Sequence, residues 1–470
     1  MQTYTVLCEN KNSLLETLRE QGIPVSASCN GRGTCGKCRV QILKGQADIG
    51  KSDRQFFSEA ELASGWRLAC TARPADLCTV FVPDRNEDTA AILTAYTEKT
   101  NSSGDCPKDK TAENPIASHP LFAAIDLGTT TIAAQLIRGR RILTTASCLN
   151  SQCSYGADVV SRSEVSQRGN GEALKIAVRD DIRGLLSELS AAADGQRIEQ
   201  IFISANTTMV HLFMCYSCEG LTSFPFTPVS LKEQTGEIEG IPFTVFPGIS
   251  TYVGGDIVSG LFSCGFHKNE DVCLFVDLGT NGEMAVGNRD RILCTSAAAG
   301  PAFEGTKLSM ATDVVKAMAE LLAGGIIDET GLLQDTYFDD GYPYEINGTQ
   351  IIITQKDIRN FQMAKSAVRA GITLLLQNYK IDVTDIRTLY LAGGMGHSLD
   401  VEAAASLGLL PKELTKKAVS VGNCSLKGAI LYGQAGCPKA ELDRIIALSS
   451  EITLGNEPDF QQLYFEGIMF

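Results

Sequence analysis

Apolar and polar residues alternate along Thr3–Glu9 and Arg39–Leu43 with the period of a strand, and Thr79–Pro83 reads as a third strand. Between the first two, Leu14, Leu15 and Leu18 recur at helical spacing within Ser13–Arg19. The pattern then lapses from Asp84 to about His119. Asn101–Asn114 is rich in Ser, Asp, Lys and Thr, Pro107 and Pro115 punctuate it, and only Ala90–Tyr96 has the look of a short helix. Periodicity returns with the apolar strand Leu121–Gly128 and its return strand Thr130–Ile137. A second such pair is Leu274–Gly279 with Glu283–Val286, and Ile386–Leu391 is a further apolar strand. Ala173–Ala193 and Lys356–Tyr379 carry long helical patterns, and Ser425–Gln434 continues Val421–Asn423 as a late helix. The expected organisation is a domain over 1–84, a linker over 85–118 and a larger unit over 119–470. The linker either lets the first domain swing or simply joins two separately folded parts.

Composition narrows the function classes. The chain has 470 residues, 44% of them hydrophobic, enough for two to four domains with large cores. Its net charge is −14 and no basic run is visible, so nucleic-acid binding is not expected. No apolar run of 18 residues and no signal-peptide pattern occur, so the expectation is a soluble cytoplasmic protein without a membrane partner. The 16 cysteines do not form a disulfide framework in such a chain; they suit a reducing, anaerobic cytoplasm.

Four of those cysteines carry chemistry. Cys29, Cys35 and Cys38 lie in Cys-Asn-Gly-Arg-Gly-Thr-Cys-Gly-Lys-Cys, and Cys70 follows alone. Three thiolates on a tight loop and one on a distant segment can wrap a [2Fe–2S] core. Gly31, Gly33 and Gly36 let backbone pass close to such a cluster with its N–H groups turned inward. A structural zinc site is the rival reading, but zinc sites commonly pair two Cys-x2-Cys knuckles and Cys70 has no near partner. The spacing resembles ferredoxin domains of the adrenodoxin-like and flavoprotein-reductase type.

The larger unit repeats one motif. Asp126-Leu-Gly-Thr and Asp277-Leu-Gly-Thr each end an apolar strand and begin a return strand. An Asp at a strand end holds Mg2+ through water, and a Gly-Thr turn lets N–H and hydroxyl groups reach phosphate oxygens. One copy is weak evidence; two facing copies clamp a nucleotide. Ala392-Gly393-Gly394 after a late strand adds a backbone that can approach adenosine. The order of these three elements resembles the actin-like ATPases, which include sugar and acetate kinases. The fold class expected is therefore α/β plus α+β: an N-terminal β-grasp [2Fe–2S] ferredoxin domain and a two-lobed actin-like ATPase.

Longer strings narrow the resemblance. They are Ala124–Thr131, Asn150-Ser-Gln, Tyr155–Arg162, Asn206-Thr-Thr-Met209, Gly254-Gly-Asp256, Asp277–Glu283, Ala298–Gly305, Thr354–Arg359 and Leu391–Gly396. Together with the cysteine set they resemble the reductive activators of corrinoid-dependent enzymes. Ala205 stands where a Gly often precedes Asn-Thr-Thr-Met, and the chain is shorter than many members, the extra domain they carry between ferredoxin and ATPase being reduced to the linker.

The resemblance implies ATP-dependent, one-electron reduction of a corrinoid protein from Co(II) to Co(I), with a [2Fe–2S] cluster, ATP and Mg2+ as cofactors. It implies a low-potential electron donor and, weakly, a homodimer. Such [2Fe–2S] centres sit near roughly −400 mV, and protein-bound Co(II)/Co(I) is expected lower. Each 59 mV of gap costs about 1.4 kcal/mol, which is what nucleotide must offset. Asp126 and Asp277 are assigned to Mg2+. Gly128, Thr129, Thr130, Gly279, Thr280 and Asn281 are assigned to phosphates, and Gly393 and Gly394 to adenosine. Asp158, Asp256, Glu283 and Glu304 are candidates for activating water, with a structural carboxylate as the blander reading of each. Two other readings remain: an ATP-driven donor to another low-potential metalloenzyme such as a dehydratase, and a small-molecule kinase with a redox sensor. Cys215 and Cys218 form a Cys-x2-Cys on an apparent helix and read as buried thiols. His397, beside the diglycine, reads as a loop histidine.

Overall fold

The computed structural model describes residues 2–83 and 119–470, apart from 9–11, 22, 24, 26–30, 32, 34–35, 37, 75–76, 157, 194, 280, 299–310, 347–348 and 394–398. The expected linker and the short helix within it lie outside the described residues.

The N-terminal part is a small antiparallel sheet of β1 (Gln2–Leu7), β2 (Arg39–Lys44), β3 (Trp66–Leu68) and β4 (Leu77–Val82), in the order β1-β4-β2-β3. Against it packs the helix Leu14–Glu20, started by a capping box between Ser13 and Glu16. Leu14, Leu15 and Leu18 are buried with Val6, Val40, Leu68 and Val80. The helix is also tied by backbone to the segment bearing Cys70: Leu14 N–H donates to Ala72 O and Leu15 N–H to Ala69 O, each at 2.9 Å. Trp66 is half-buried and stacked on Phe57.

The larger unit contains two six-stranded sheets that share a five-stranded plan. The first sheet joins β5 (Leu121–Leu127), β6 (Thr131–Arg138), β7 (Arg141–Leu149), β8 (Gln200–Ala205), β9 (Gln234–Ile238) and β10 (Ile241–Val245) in the order β7-β6-β5-β8-β10-β9. The small hairpin β14 (Tyr342–Ile346) and β15 (Thr349–Ile353) stands apart. The second sheet joins β11 (Cys273–Leu278), β12 (Gly282–Gly287), β13 (Ile292–Ala297), β16 (Thr388–Ala392), β17 (Ala418–Gly422) and β18 (Ser449–Glu451). Its order is β17-β16-β11-β12-β13-β18. In each lobe three antiparallel strands are followed by two parallel ones: β5, β8 and β10 match β11, β16 and β17.

Period-two alternation explains where these sheets point. Along β5, Leu121, Ala123, Ile125 and Leu127 enter the core of the first lobe, while Phe122 and Ala124 enter a layer between the lobes. Along β11, Leu274, Val276 and Leu278 enter the core of the second lobe, and Cys273 and Phe275 the shared layer. That layer is filled by helices Gly255–Ser263, Cys424–Gln434 and Lys439–Leu448. The first two cross with backbone in contact: a Cβ on Gly428 would collide with the carbonyl and hydroxyl of Ser259. Long helices cover the outer faces, Gly171–Ala192 in the first lobe and Gln355–Tyr379 in the second.

Candidate functional site

The alternation that builds the core also gathers the carboxyls. Asp126 follows Phe122 and Ala124 on the inward face of β5, and Asp277 follows Cys273 and Phe275 on that of β11. Glu283 lies directly across the β11–β12 ladder from Asp277. Asp256, in the first turn of helix Gly255–Ser263, completes the group. Burial pushes the Asp277 carboxyl up to about 8, with the Asp256 and Asp126 charges adding to it. Asp256 is pushed up to about 7 by burial first and by Asp126 second among the raising influences. Glu283 is held well above the usual carboxylate range by burial and by Asp256 and Asp277.

Such a group keeps protons until a cation replaces them. Among the described residues no three acidic, thiol or imidazole side chains converge closely enough to bind an ion directly. Buried carboxyls at strand ends beside glycine turns suit Mg2+ held through water and nucleotide oxygen, the usual mode for this ion.

Asp126 is held by two side-chain donors. Asn423 Nδ2 and Ser425 Oγ each donate to its carboxylate at 2.7 Å. Burial raises its pKa and these two bonds oppose the shift. Both donors open helix Cys424–Gln434, where Asn423 also caps by accepting from Leu426 N–H at 2.8 Å. Ser259 Oγ donates to the Ser425 carbonyl at 2.6 Å, tying the two crossing helices together beside the carboxylate.

Each aspartate is followed by a glycine turn, the second one residue shorter than the first. Gly128 N–H donates to Thr131 O at 3.1 Å, and Gly279 N–H to Asn281 O at 2.9 Å. Asn150 supports the first turn by donating from Nδ2 to Gly128 O at 2.9 Å, and its own N–H donates to Thr130 O at 2.9 Å. Asn206, which caps helix Thr207–Met214, lies with Nδ2 3.2 Å from Thr129 Oγ1. Gly393 occupies the place after β16 that Asn206 occupies after β8. Its φ is +83°, and a Cβ there would strike Asp277 Oδ1 and stand 2.7 Å from Leu278 O. Gly393 thus packs on the second aspartate.

Asp158 caps helix Val159–Val165, its carboxylate accepting from Ser161 N–H at 2.8 Å. One expectation is corrected. Cys215 and Cys218 are not on a helix together, because helix Thr207–Met214 ends where Cys215 turns left-handed at φ 59°. Thr280, Gly394, Glu304 and His397 lie outside the described residues.

In the N-terminal part, Cys38 and Cys70 are buried with their sulfurs 3.3 Å apart. Thiolates sharing one tetrahedral metal at about 2.3 Å stand roughly 3.8 Å apart, so a small adjustment lets this pair share an iron. The surroundings fit a cluster. Gly31, Gly33 and Gly36 all have positive φ, and a Cβ on Gly36 would run into the Phe56 ring. The buried Asp53 carboxylate accepts from Gly50 N–H at 2.7 Å and Leu68 N–H at 2.8 Å, fixing the strand that leads to Cys70. Cys29 and Cys35 lie outside the described residues.

A thiolate-lined ferredoxin domain joined to a duplicated, carboxyl-centred cleft defines an actin-like ATPase with an iron–sulfur head. The model of a 2Fe-2S iron-sulfur cluster binding domain matches residues 2–75. The RACo middle region matches 121–269, and the C-terminal domain of RACo, the ASKHA domain, matches 271–313 and 310–470. The chain belongs to this family of reductive activators of corrinoid proteins. It is 29% identical over 420 residues to the corrinoid activation enzyme RamQ of Eubacterium limosum, covering 75% of this chain and 70% of that one. It is 25% identical over 400 residues to the [Co(II) methylated amine-specific corrinoid protein] reductase of Methanosarcina barkeri, covering 70% and 72%. In fold it matches a solved reductive activator for corrinoid,iron-sulfur protein with a TM-score of 0.68 at 24% identity, over 99% of this chain and 98% of that one. No helix among the described residues is long and apolar enough to cross a membrane.

Proposed function

We propose that this protein returns a corrinoid protein from Co(II) to Co(I), passing one electron from a low-potential donor and using Mg-ATP to drive the transfer. One observation carries the reading: a buried thiol pair of a ferredoxin domain and a twofold-repeated carboxyl cleft of an ATPase occur in one chain. Bound on Cys29, Cys35, Cys38 and Cys70, a [2Fe–2S] cluster supplies a one-electron couple near roughly −400 mV. Cobalt accepts one electron, so donor and acceptor balance.

The ATPase residues divide the remaining work. Asp126 and Asp277 hold the water shell of Mg2+ from opposite lobes. Gly128, Thr129, Thr130, Gly279, Thr280 and Asn281 present N–H and hydroxyl groups to the phosphates, while Gly393 and Gly394 border adenosine. Glu283 and Asp256 border the same space and are placed to orient water. Closure of two lobes on nucleotide shifts a partner between states when it binds those states unequally. The domain limits that accompany this reading are 1–84, 85–118 and 119–470, in a cytoplasmic protein.

The test uses a corrinoid protein in the Co(II) state, a low-potential reductant and anaerobic conditions. The Co(I) absorbance band should grow only with Mg-ATP. Equal rates with and without nucleotide overturn the coupling.

A further inference from the structure

Arg19 is a cation in an unusual setting. It ends helix Leu14–Glu20, is largely buried, and its Nε and Nη2 have no hydrogen-bond partner among the described residues. The nearest carboxylate along the helix, Glu16, is committed to the Ser13 N–H and hydroxyl at 2.7 and 2.9 Å. A buried guanidinium without a counter-charge is costly. Burial lowers its pKa, and Tyr155, Glu16, Cys38 and Cys70 act in the opposite direction.

Two groups therefore face Arg19. One is the thiol pair: the same helix is hydrogen-bonded to Ala69 and Ala72, on either side of Cys70. The other belongs to the ATPase. The Arg19 guanidinium carbon lies 5.3 Å from the centre of the Tyr155 ring. Tyr155 ends the short turn Ser151–Ser154, which Asn150 caps while also holding Gly128 O. The helix that carries Arg19 is thus bonded to the Cys70 segment, and Arg19 itself reaches Tyr155 beside the first phosphate turn.

We propose that Arg19 is the counter-charge of the cluster when the ferredoxin domain is docked on Tyr155, and that this contact sets the cluster's reducing power according to docking. Four thiolates and two sulfides around two irons are net negative and become more so on reduction. A nearby cation kept from water stabilises the reduced form and raises the potential. Undocking exposes Arg19 to water and ions, its field is screened, and the potential falls. The docked domain accepts an electron easily; the released domain is the stronger reductant. Through Asn150, nucleotide at Gly128–Thr130 acts on the donor as well as on the acceptor.

This inference rests on the proposed function only for the presence of the cluster. The experiment is a redox titration of the full chain followed by the EPR signal of the reduced cluster. At one fixed solution potential, Arg19→Gln should lower the reduced-to-oxidised ratio about tenfold, or about 59 mV for one electron, and Arg19→Lys less than about threefold. Tyr155→Ala, outside the cluster domain, should lower the ratio in the same direction. In the Tyr155→Ala background the effect of Arg19→Gln should shrink below about threefold, because Arg19 is already screened. A ratio unchanged in Arg19→Gln or in Tyr155→Ala overturns the inference, as does a full Arg19→Gln effect without Tyr155. A wild-type chain with no reduced-cluster signal removes the cluster reading itself; a normal wild-type titration beside unshifted variants removes only this inference.

Discussion

Ser425 donates a 2.7 Å hydrogen bond to the carboxylate of Asp126, a residue 299 positions earlier in the chain. With Asn423 it keeps one carboxylate of the buried group supplied with donors, while Asp277 is governed among the described residues by burial and the Asp256 and Asp126 charges. The two repeated aspartates are thus alike in register and unlike in environment. Asp126 is the better-stabilised anion.

Removing that support should weaken the cleft without touching the ferredoxin domain. Hydrogen bonds to charged groups contribute about 1.5–3 kcal/mol. Ser425→Ala should therefore lower kcat/KM for Mg-ATP by roughly ten- to a hundredfold. The visible cluster spectrum should not change. Unaltered turnover would mean that Asp126 is not engaged in hydrolysis.

Asp277 gives a pH-dependent test. Its folded-state pKa of about 8 lies above the unfolded value. The folded chain then binds more protons than the unfolded one, and stability falls as pH rises from the ordinary carboxylate range through about 8. Asp277→Asn removes this term. Without nucleotide, the variant should melt higher than wild type at pH 8 and converge with it at acidic pH, while Mg-ATP hydrolysis is abolished. Calorimetry at the two pH values decides; a variant less stable at pH 8 contradicts the placement of this carboxyl.

Gly393 stands at φ +83° against the same aspartate. Gly393→Ala forces a left-handed alanine and a collision with Asp277 Oδ1. Strain of this kind costs of order 1–3 kcal/mol. The melting temperature should drop and Mg-nucleotide affinity should fall at least tenfold, read by equilibrium binding.

Asp158 separates a cap from a catalyst. Asp158→Ala should cost about 1 kcal/mol of stability, and Asp158→Asn less, since asparagine also caps. Mg-ATP turnover should remain within about twofold in both at a temperature where they stay folded. A loss of turnover without loss of stability would return Asp158 to the reacting centre.

Cys70→Ser separates the two halves of the chain. It should remove the cluster signal and Co(I) formation, because it replaces a soft thiolate with a hydroxyl. Mg-nucleotide binding, measured by calorimetry, should be retained. Loss of binding would show that the cleft depends on the cluster domain for its shape.

Much of this was legible in one dimension because it is local. The spacing of Cys29, Cys35, Cys38 and Cys70 needs no tertiary knowledge. The strands ending at Asp126 and Asp277 announce themselves by apolar runs, and their side-chain alternation fixes which way each aspartate points. Asn423 and Ser425 were not legible as site residues. They look like the start of any helix, and only the crossing of Cys424–Gln434 with Gly255–Ser263 brings them to Asp126. Asp158 shows the opposite difficulty. A capping aspartate and a catalytic one are identical in sequence, although Asp158 before Val159 and Val160, with Ser161 at the third helical position, is itself a helix-start signal. The break at Cys215 was hidden because an apolar stretch says nothing about where one residue turns left-handed.

The joint between the lobes has a mechanical consequence. At Gly428 one helix lies directly against the carbonyl and hydroxyl of Ser259 on the other, with no room for a side chain at position 428. Such a bearing can rotate but has little room to slide. Ser425 sits one helical turn from it, so the lever arm is short. A rotation that swings the outer rims far apart displaces the Ser425–Asp126 bond little. A rotation about this point leaves the Asp126 carboxylate anchored to the helix that bears Ser425.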